Sequence, residues 1–372
     1  MRHAYGIVTG PGGGPAHLAA RVGDVAVDLR SAPGVPAEVA DADDLHPLLA
    51  LGRQGWEDVH SAVGEHLSSG PPTVPVADLE VRLPVVPSDY VDFYASEHHA
   101  TNLGRILRPG EQALPDAWRH LPIGYHGRAG SVVVSGTPIR RPVGLVGPGE
   151  RRPSARLDLE LELGFLVGTG VPMGEVLAPD AAADHVFGVA LVNDWSARDI
   201  QAFEYRPLGP FAGKSFATSV AGWVTPLAAL PRVRPPAQDP APEPGLAAGE
   251  DWGLDLEVAW SLNGTEVGRT NTCHLWWTFA QQLAHLTANG AGLRAGDLFA
   301  SGTISGPGPG EEGSLIEAAR NGAAPITLDD GTTRAWLEDG DTVTLSGSWR
   351  SGDGVAHLAE VTGTIAAAQE VR

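Results

Sequence analysis

The stretch LDLELEL, residues 157–163, alternates leucine with acid without a break. A period of two residues is typical of a half-buried β-strand. Strand geometry puts Asp158, Glu160 and Glu162 on one face, with neighbouring acids roughly 7 Å apart. Carboxylates at that spacing repel each other unless a cation lies between them, and Ca²⁺ and Mg²⁺ favour oxygen ligands. The stretch therefore predicts either an exposed acidic strand face or part of a divalent-metal site.

The composition favours a globular protein with many turns. The 372 residues include 48 Gly and 31 Pro, which favour short strands over long helices, and 42% are hydrophobic. The net charge of −20 argues against nucleic acid or an anionic membrane as a partner. No apolar run approaches the ~18 residues of a membrane helix. The first residues do not resemble a signal peptide.

The number of cysteines in the chain is consistent with a reducing cellular compartment. Cys273 is the only cysteine, so no internal disulfide is possible and a cytoplasmic location is expected. A buried structural thiol is the usual role of such a residue, and a catalytic nucleophile is the alternative.

Two units are predicted along the chain. Residues 1–86 contain a hairpin that turns at Gly23 and Asp24, followed by helical spacing over residues 43–67. Residues 87–372 are dense in strands, so the fold is predicted to be mainly β, of the α+β class. Within this unit, the Pro- and Ala-rich residues 231–250 are interpreted as an exposed insertion. Strands are expected at 132–134, 157–167, 187–192, 254–260, 342–345 and 361–365, and helices at 201–205 and 276–286.

The segment from Asp92 to His99 combines an acid, a phenol and two imidazoles in eight residues. Histidine can act as a general base near neutral pH because its ordinary pKa lies close to that range. Since His98 and His99 are adjacent, at most one of them is expected to point into a site.

Asp194 follows an apolar run that ends at Val192. An acid at the end of a buried strand is unusual because an unpaired buried charge is costly. Asp194 is therefore either a helix N-cap or a cation ligand. If a helix begins here, Arg198 and Gln201 lie four and seven residues further on and share its face with Asp194.

Lys214 follows a glycine and precedes a serine, but this segment is not a phosphate-binding loop. The pattern requires a glycine at residue 208, which is Leu208. Lys214 is therefore either part of an ion pair or the cation of a site. Further along, Glu317 follows two segments rich in glycine and hydroxyl residues, and it is either the partner of a histidine or a surface acid.

Together these segments resemble the fumarylacetoacetate hydrolase family, from Tyr5 to about Ile365. The resemblance rests on several specific motifs in order: DFY before His99, LPIGYHGR, GTPIRRP, NDWSARDIQ, PLGPF, GKSF and ASGTISG. It implies a small SH3-like N-terminal barrel, a large mixed β-roll catalytic domain and a homodimer. The implied activity is metal-dependent cleavage of the carbon–carbon bond of 4-fumarylacetoacetate, a small 1,3-diketo acid, to fumarate and acetoacetate. This is the last step of tyrosine and phenylalanine breakdown.

The resemblance also implies a role for individual residues. It assigns a catalytic Ca²⁺ to Asp92, Glu160, Glu162 and Asp194, and it leaves Asp158 outside that set. A second ion, Mg²⁺, is expected near Asp194, Lys214 and Thr218, with Lys214 contributing only its backbone carbonyl.

The catalytic groups are implied in the same way. His99 matches the base and Glu317 its partner, while Arg198, Gln201 and Lys214 match polar groups around the reacting carbonyl. Substrate contacts are implied at Tyr94, Arg108, Tyr125, Gln201, Tyr205 and Thr303. Two alternatives stay open: a decarboxylase, isomerase or hydrolase of a related keto acid, and a metal-dependent binding module without catalysis.

Overall fold

The computed structural model describes residues 3–352 and 354–369. Most of its regular structure is β, which confirms the predicted class. The strands are β1 Ala4–Thr9, β2 His17–Val22, β3 Val25–Asp28, β4 Val74–Pro75, β5 Glu80–Val81, β6 Tyr90–Phe93, β7 Gly124–His126, β8 Val132–Val134, β9 Ile139–Arg140, β10 Val143–Gly147, β11 Glu150–Pro153, β12 Leu157–Asp158, β13 Leu161–Val167, β14 Val186–Asp194, β15 Ser196–Ala197, β16 Thr218–Val220, β17 Trp223–Pro226, β18 Arg232–Val233, β19 Gly253–Leu254, β20 Glu257–Leu262, β21 Thr265–Asn271, β22 Leu298–Ala300, β23 Ile326–Thr327, β24 Thr333–Arg334, β25 Thr342–Ser351, β26 Gly354–His357 and β27 Val361–Ala366.

The helices are short apart from two. They are α1 Ala37–Ala40, α2 His46–Leu49, α3 Gly52–Ser68, α4 Glu97–Leu107, α5 Ala182–His185, α6 Arg198–Glu204, α7 Phe279–Thr287 and α8 Leu315–Ala318. No helix in the described part of the chain is long and apolar enough to cross a membrane.

The largest sheet places β13 between β14 and β22, and β22 in turn pairs in parallel with β6. On one side of β13, Glu162 lies opposite Val192 of β14. On the other side, Gly164 lies opposite Ala300 of β22, and Ala300 is in turn in register with Asp92 of β6. This register brings side chains from three segments that are far apart in sequence to one end of the sheet. A second sheet has the order β21-β20-β25-β27-β9, with β26 on the edge of β25.

The leucines and the acids of residues 157–163 are all buried. Leu157 and Leu163 are 0% exposed, but so are Asp158 and Glu162, and Glu160 is only 4% exposed. The strand is therefore not half-buried, and of the two alternatives for this stretch the exposed acidic face is wrong. The strand is also interrupted, because Glu160 lies between β12 and β13 and forms an isolated bridge with Ser314.

The N-terminal strands do not close into a barrel in the described residues. The hairpin of β2 and β3 turns at Gly23 and Asp24 as predicted. However, β1 pairs with β17 through Tyr5 and Val224, so its sheet continues into the central sheet. The expected SH3-like N-terminal barrel is therefore not confirmed. The division after residue 86 stays a prediction.

Other local predictions agree with the structure, with some differences at the ends. The helical spacing over residues 43–67 corresponds to α2 and α3, and all six predicted strand segments contain strands. The helix expected at 276–286 begins later, after Thr278, whose side chain and that of Gln281 form a capping box. Residues 231–250 are not wholly exposed, since Leu246 is buried and Gln238 donates a hydrogen bond to the carbonyl of Trp276.

Candidate active site and metal centre

Four buried carboxylates meet at the end of the central sheet. Asp92 lies on β6, Glu162 on β13 and Asp194 at the end of β14, while Glu160 lies in the link between β12 and β13. One carboxylate oxygen from each residue lies within 4.8 Å of the others. None of the four residues is more than 4% exposed. The resemblance assigned the metal to these same four positions, and the structure brings them together.

Three oxygens of this cluster have no hydrogen-bond partner. They are both carboxylate oxygens of Glu162 and Oδ1 of Asp92, all buried. Burial, together with repulsion from the neighbouring carboxylates, raises the pKa of Asp92 and of Glu162 well above its ordinary value. Buried carboxylates without donors are costly unless a cation binds them. The donor set therefore fits a divalent ion that takes oxygen ligands.

Two buried cations compensate part of the negative charge. Lys214 contacts Glu160 and lies with Nζ 2.5 Å from Oδ2 of Asp194. Arg198 donates from Nη2 to Glu160 and from Nε to Asp158, both at 2.7 Å. Burial disfavours the ionised form of Glu160, but the charges of Arg198 and Lys214 outweigh it and hold its pKa well below the ordinary value.

Asp158 is separated from the four-carboxylate cluster by its own partners. Its Oδ1 accepts hydrogen bonds from the backbone N–H groups of Leu159, Leu315 and Ile316, and its Oδ2 accepts from Arg198. Asp158 is therefore bound in an ion pair with Arg198, although it shares a strand face with Glu160. If all five acids were ionised, they would carry five negative charges against the two positive charges of Arg198 and Lys214. The excess of three leaves room for a divalent cation.

His99 lies beside the cluster and is held by Glu317. Its Nδ1 is 2.6 Å from Oε2 of Glu317, and its Nε2 is 3.6 Å from Oε1 of Glu160. Helix α4 begins after Ser96, whose hydroxyl accepts a hydrogen bond from the backbone N–H of His99. The His98 ring lies elsewhere, in an edge-to-face contact with His274. Of the two adjacent histidines, His99 is therefore the one that faces the acids.

A cavity of about 600 Å³ opens onto His99 and the acids. The remaining candidates of the sequence analysis divide into two groups. Three candidates are not among the lining residues: Asp194, Thr218 and Glu317. The hydroxyl of Thr218 donates a hydrogen bond to Oδ1 of Asp194 at 3.2 Å. The candidates that line the cavity with His99 are Asp92, Tyr94, Arg108, Tyr125, Glu160, Glu162, Arg198, Gln201, Tyr205, Lys214 and Thr303.

Several lining side chains already have partners on the protein. The Tyr125 hydroxyl donates to Oδ2 of Asp194 at 2.6 Å, and Gln201 accepts from Nη1 of Arg198 at 3.1 Å. Arg108 donates to the carbonyl of Ala113. The hydroxyl oxygen of Thr303 is buried without a hydrogen-bond partner. This hydroxyl and the amide nitrogen of Gln201 are therefore groups that a ligand in the cavity could contact.

The alternative role of Asp194 as a helix N-cap is wrong. Helix α6 begins at Arg198, its N-cap is Ala197, and Asp194 lies in β14. The prediction that Asp194 shares a helical face with Arg198 and Gln201 is therefore wrong, although Arg198 and Gln201 lie on α6 and are hydrogen-bonded to each other. The two alternatives for Lys214 prove compatible, because it pairs with two acids and also lines the cavity.

Sequence reasoning missed three residues that bind Glu317. Asn102 donates to Oε1 at 2.9 Å, Ser314 donates to Oε2 at 2.6 Å, and Ser305 lies within hydrogen-bond distance of both oxygens. Asn102 lies three residues after His99 on the same helix, and this spacing puts both on one helical face. That spacing was the one feature of the sequence that could have indicated a contact of Asn102 with the partner of His99. The two serines belong to segments whose composition is common in turns, so nothing in the sequence singled them out.

Comparisons with known proteins identify relatives along most of the chain. Residues 89–366 match the family model described as Fumarylacetoacetate (FAA) hydrolase C-terminal. A protein of Rattus norvegicus named fumarylacetoacetase is 44% identical over 341 residues, which is 85% of this chain and 81% of the relative. The fumarylacetoacetase of Arabidopsis thaliana is 42% identical over 384 residues, or 94% of this chain and 91% of the relative.

Solved structures show the same fold at much lower identity. A fumarylacetoacetate hydrolase from Exiguobacterium antarcticum has a TM-score of 0.61 at 18% identity, covering 98% of this chain and 99% of that chain. A maleylpyruvate hydrolase from Sphingobium has a TM-score of 0.56 at 16% identity, covering 99% and 100%. At these identities the likeness concerns the fold alone.

Proposed function

Because the chain belongs to the fumarylacetoacetate hydrolase family, we propose that it is a metal-dependent hydrolase acting on a carbon–carbon bond. Its proposed substrate is 4-fumarylacetoacetate and its products are fumarate and acetoacetate, the last step of tyrosine and phenylalanine breakdown. Relatives that are at least 42% identical over most of the chain carry the name fumarylacetoacetase, which supports this substrate.

One observation carries the proposal. His99 is bound through Nδ1 to Glu317, and its Nε2 lies 3.6 Å from Glu160, one of the four clustered carboxylates. It lines the same cavity as Asp92, Glu160 and Glu162. A protein that only binds a metal ion or a keto acid needs no buried histidine–carboxylate pair. A general base held in one tautomer beside a Lewis-acid site is what hydrolysis needs. The site therefore favours an enzyme over a binding module.

Asp92, Glu160, Glu162 and Asp194 would hold a divalent ion, which we propose to be Ca²⁺. When bound, such an ion polarises the two keto oxygens of a 1,3-diketone and favours the enolate leaving group. A second ion, Mg²⁺, is proposed near Asp194, Thr218 and the backbone carbonyl of Lys214. The ammonium of Lys214 repels a cation and is no ligand.

The proton is handled by His99 and Glu317. Nε2 of His99 takes a proton from water, and Glu317 stabilises the imidazolium through Nδ1. The water oxygen adds to the carbonyl next to the fumaryl double bond. The carbon–carbon bond then breaks, and its electron pair leaves with acetoacetate as the enolate. The proton on His99 can return to the enolate carbon, which restores the neutral base.

Three polar groups are proposed to bind the oxygen that becomes negative during attack. Arg198 and Lys214 supply positive charge at the cavity wall. Gln201 uses its carbonyl oxygen to accept from Arg198, so its amide NH₂ is the part that can donate to the substrate. A well-placed donor of this kind contributes about 3–4 kcal/mol.

The remaining lining groups are proposed to hold the substrate. Arg108, with Tyr94 and Tyr125, would anchor a carboxylate, while Tyr205 and Thr303 contact the rest of the molecule. We further propose, from the family resemblance, that the protein is a homodimer with an SH3-like N-terminal domain over residues 1–86 and a catalytic domain over 87–372. A cytoplasmic location and the absence of nucleic-acid and membrane partners belong to the same proposal.

The test is to incubate the purified protein with fumarylacetoacetate and Ca²⁺ and to follow the diketone absorbance. We expect its loss with fumarate and acetoacetate as products, and a loss about 10²–10⁴-fold slower with His99→Ala. A parallel assay with maleylpyruvate separates this function from that of a related keto acid hydrolase. Turnover of maleylpyruvate alone would contradict the proposed substrate but not the site. Binding of the diketone without turnover would contradict hydrolysis.

A further inference from the structure

The carboxylate of Glu317 is surrounded by neutral donors. Its side chain is 1% exposed, and in the described residues its one ion-pair partner is His99. The hydroxyls of Ser305 and Ser314 and the amide of Asn102 supply the other hydrogen bonds. Burial disfavours ionisation, but the charge and hydrogen bond of His99 and the donors Ser314 and Asn102 hold the pKa of Glu317 below its ordinary value.

Ser305 differs from the other donors in two ways. Its hydroxyl lies 3.1 Å from Oε1 and 3.0 Å from Oε2 of Glu317, so it reaches both oxygens. The same hydroxyl accepts a hydrogen bond from the backbone N–H of Gly313, which leaves its single proton free to donate to the carboxylate. The side chain is therefore aimed at the carboxylate by the segment that leads into α8.

The backbone of Ser305 is bound to the other member of the catalytic pair. Its carbonyl accepts a hydrogen bond from the hydroxyl of Ser96 at 3.0 Å. That hydroxyl in turn accepts from the backbone N–H of His99 at 3.2 Å and caps α4. One residue thus contacts the start of the helix that carries His99 and also the carboxylate that binds its ring.

We propose that Ser305 is a positioning residue that holds the carboxylate of Glu317 in line with Nδ1 of His99 during proton transfer. The inference rests on the proposed function, because it gives His99 and Glu317 their catalytic roles. Ser305 does not line the cavity, so it would act through Glu317 and not by touching substrate. A carboxylate that rotates away loses the interaction that strengthens as the imidazole becomes charged.

The matched control is Ser301. It is also a fully buried serine, four residues earlier on the same segment, and its hydroxyl accepts from the N–H of Leu163 and donates to the carbonyl of Gly302. Like the hydroxyl of Ser305, it accepts from one backbone N–H, but it donates to a backbone carbonyl and not to Glu317. Ser301→Ala therefore measures the structural cost of removing a buried hydroxyl from this segment.

The kinetic test is a double-mutant cycle with Ser305→Ala and Glu317→Gln. Ser305→Ala should lower kcat about tenfold or more, as expected for a hydrogen bond to a charged group, and change KM less than about threefold. In the Glu317→Gln background the same change should lower kcat less than about twofold, since the charge that Ser305 aligns is absent. Ser301→Ala should lower the melting temperature similarly but retain most of kcat.

Two further measurements keep the inference testable. Ser305→Cys fills the same space with a weak donor, so it replaces Ser305→Ala if the alanine variant does not fold, and kcat should fall while the melting temperature is kept. A crystal structure of either variant tests the alignment without any assay. We expect the separation of His99 Nδ1 and Glu317 Oε2 to exceed the hydrogen-bond range of about 3.2 Å.

The outcomes separate this inference from the proposed function. An unmoved Glu317 carboxylate, or a loss of kcat that adds in full to that of Glu317→Gln, overturns the role of Ser305 while the hydrolase remains. If the wild type does not cleave the diketone, the proposed function fails, and the crystal structure alone decides whether Ser305 aligns the pair.

Discussion

Nδ1 of His99 lies 2.6 Å from Oε2 of Glu317, although the two residues are 218 positions apart in the sequence. The bond fixes which ring nitrogen carries the proton and leaves Nε2 towards the acids. Since both side chains are buried, the pair is shielded from water that would weaken it. The arrangement gives Glu317 a task that its local sequence does not suggest.

Replacing Glu317 with Gln should lower turnover much more than substrate affinity. The change keeps the shape but removes the charge that stabilises the imidazolium, an interaction made mainly in the transition state. Steady-state kinetics on fumarylacetoacetate would measure kcat and KM. Calcium content should stay normal because Glu317 is not among the four clustered acids. A rise in KM with unchanged kcat would contradict the dyad.

Replacing His99 with Ala should lower kcat by about 10²–10⁴-fold, the usual contribution of a general base. His98→Ala is the matched control, because the adjacent imidazole contacts His274 and not the acids. Its kcat should stay within a few-fold of the wild type. Both variants would be assayed at saturating substrate. An inactive His98 variant beside an active His99 variant would show that the base has been assigned to the wrong histidine.

Removal of divalent ions should abolish activity, and Ca²⁺ should restore it. Both oxygens of Glu162 are buried without donors, so Glu162→Gln should weaken Ca²⁺ binding measured by calorimetry. Binding to the folded state raises stability, by about 2.7 kcal/mol at a free concentration of 100 Kd. Added Ca²⁺ should therefore raise the melting temperature of the wild type far more than that of Glu162→Gln.

The control for this variant is Glu38→Gln, the same chemical change at an exposed acid of α1. It should bind Ca²⁺ as the wild type does. Full activity after exhaustive chelation, with no calcium left in the sample by elemental analysis, would rule out the metal dependence.

Asp341 should make stability depend on pH far from the active site. It accepts hydrogen bonds from Arg334, from Asn263 and from the backbone of Glu338. Burial opposes its ionisation, but the hydrogen bonds from Arg334 and from the Glu338 backbone outweigh it and hold the pKa of Asp341 below its ordinary value of 3.8. The ionised form therefore stabilises the fold above the unfolded pKa, and this stability is lost as pH falls through the lower folded pKa.

Asp341→Asn should consequently cost about 1–3 kcal/mol at neutral pH, as expected when a buried charged hydrogen-bond network is broken. The difference in unfolding midpoint between the variant and the wild type should narrow as pH falls below about 4. Urea titrations at several pH values would measure it. A difference that stays constant down to acid pH would assign the loss to packing and not to the charge.

Local patterns in the sequence were enough to predict several elements of this fold. The alternation over residues 157–163 placed Glu160 and Glu162 on one face, and the apolar run before Asp194 predicted a buried strand. Of the two alternatives that the alternation left open, an exposed acidic face and a metal site, the exposed face is wrong. The acids are covered by Arg198 and Lys214, which come from later segments, and no local pattern reports such long-range contacts.

Long-range pairing also explains what the sequence did not predict in the fold and the site. β1 pairs with β17 through Tyr5 and Val224, which are more than two hundred residues apart in sequence, so no local pattern could predict this pairing. The positions of Ser305 and Ser314 against Glu317 depend on how two Gly-rich segments fold over each other. Their composition is compatible with many loops, so only the family resemblance pointed to Glu317.

The parallel pairing of β6 with β22 has a consequence for synthesis of the protein. Asp92 is in register with Ala300, so its strand has no partner on that edge until the ribosome has made four fifths of the chain. Glu162 and Asp194 belong to neighbouring strands and can meet much earlier. An incomplete nascent chain therefore offers an ion only a partial set of carboxylates. Capture of the proposed ion by all four carboxylates would therefore follow the pairing of β6 with β22.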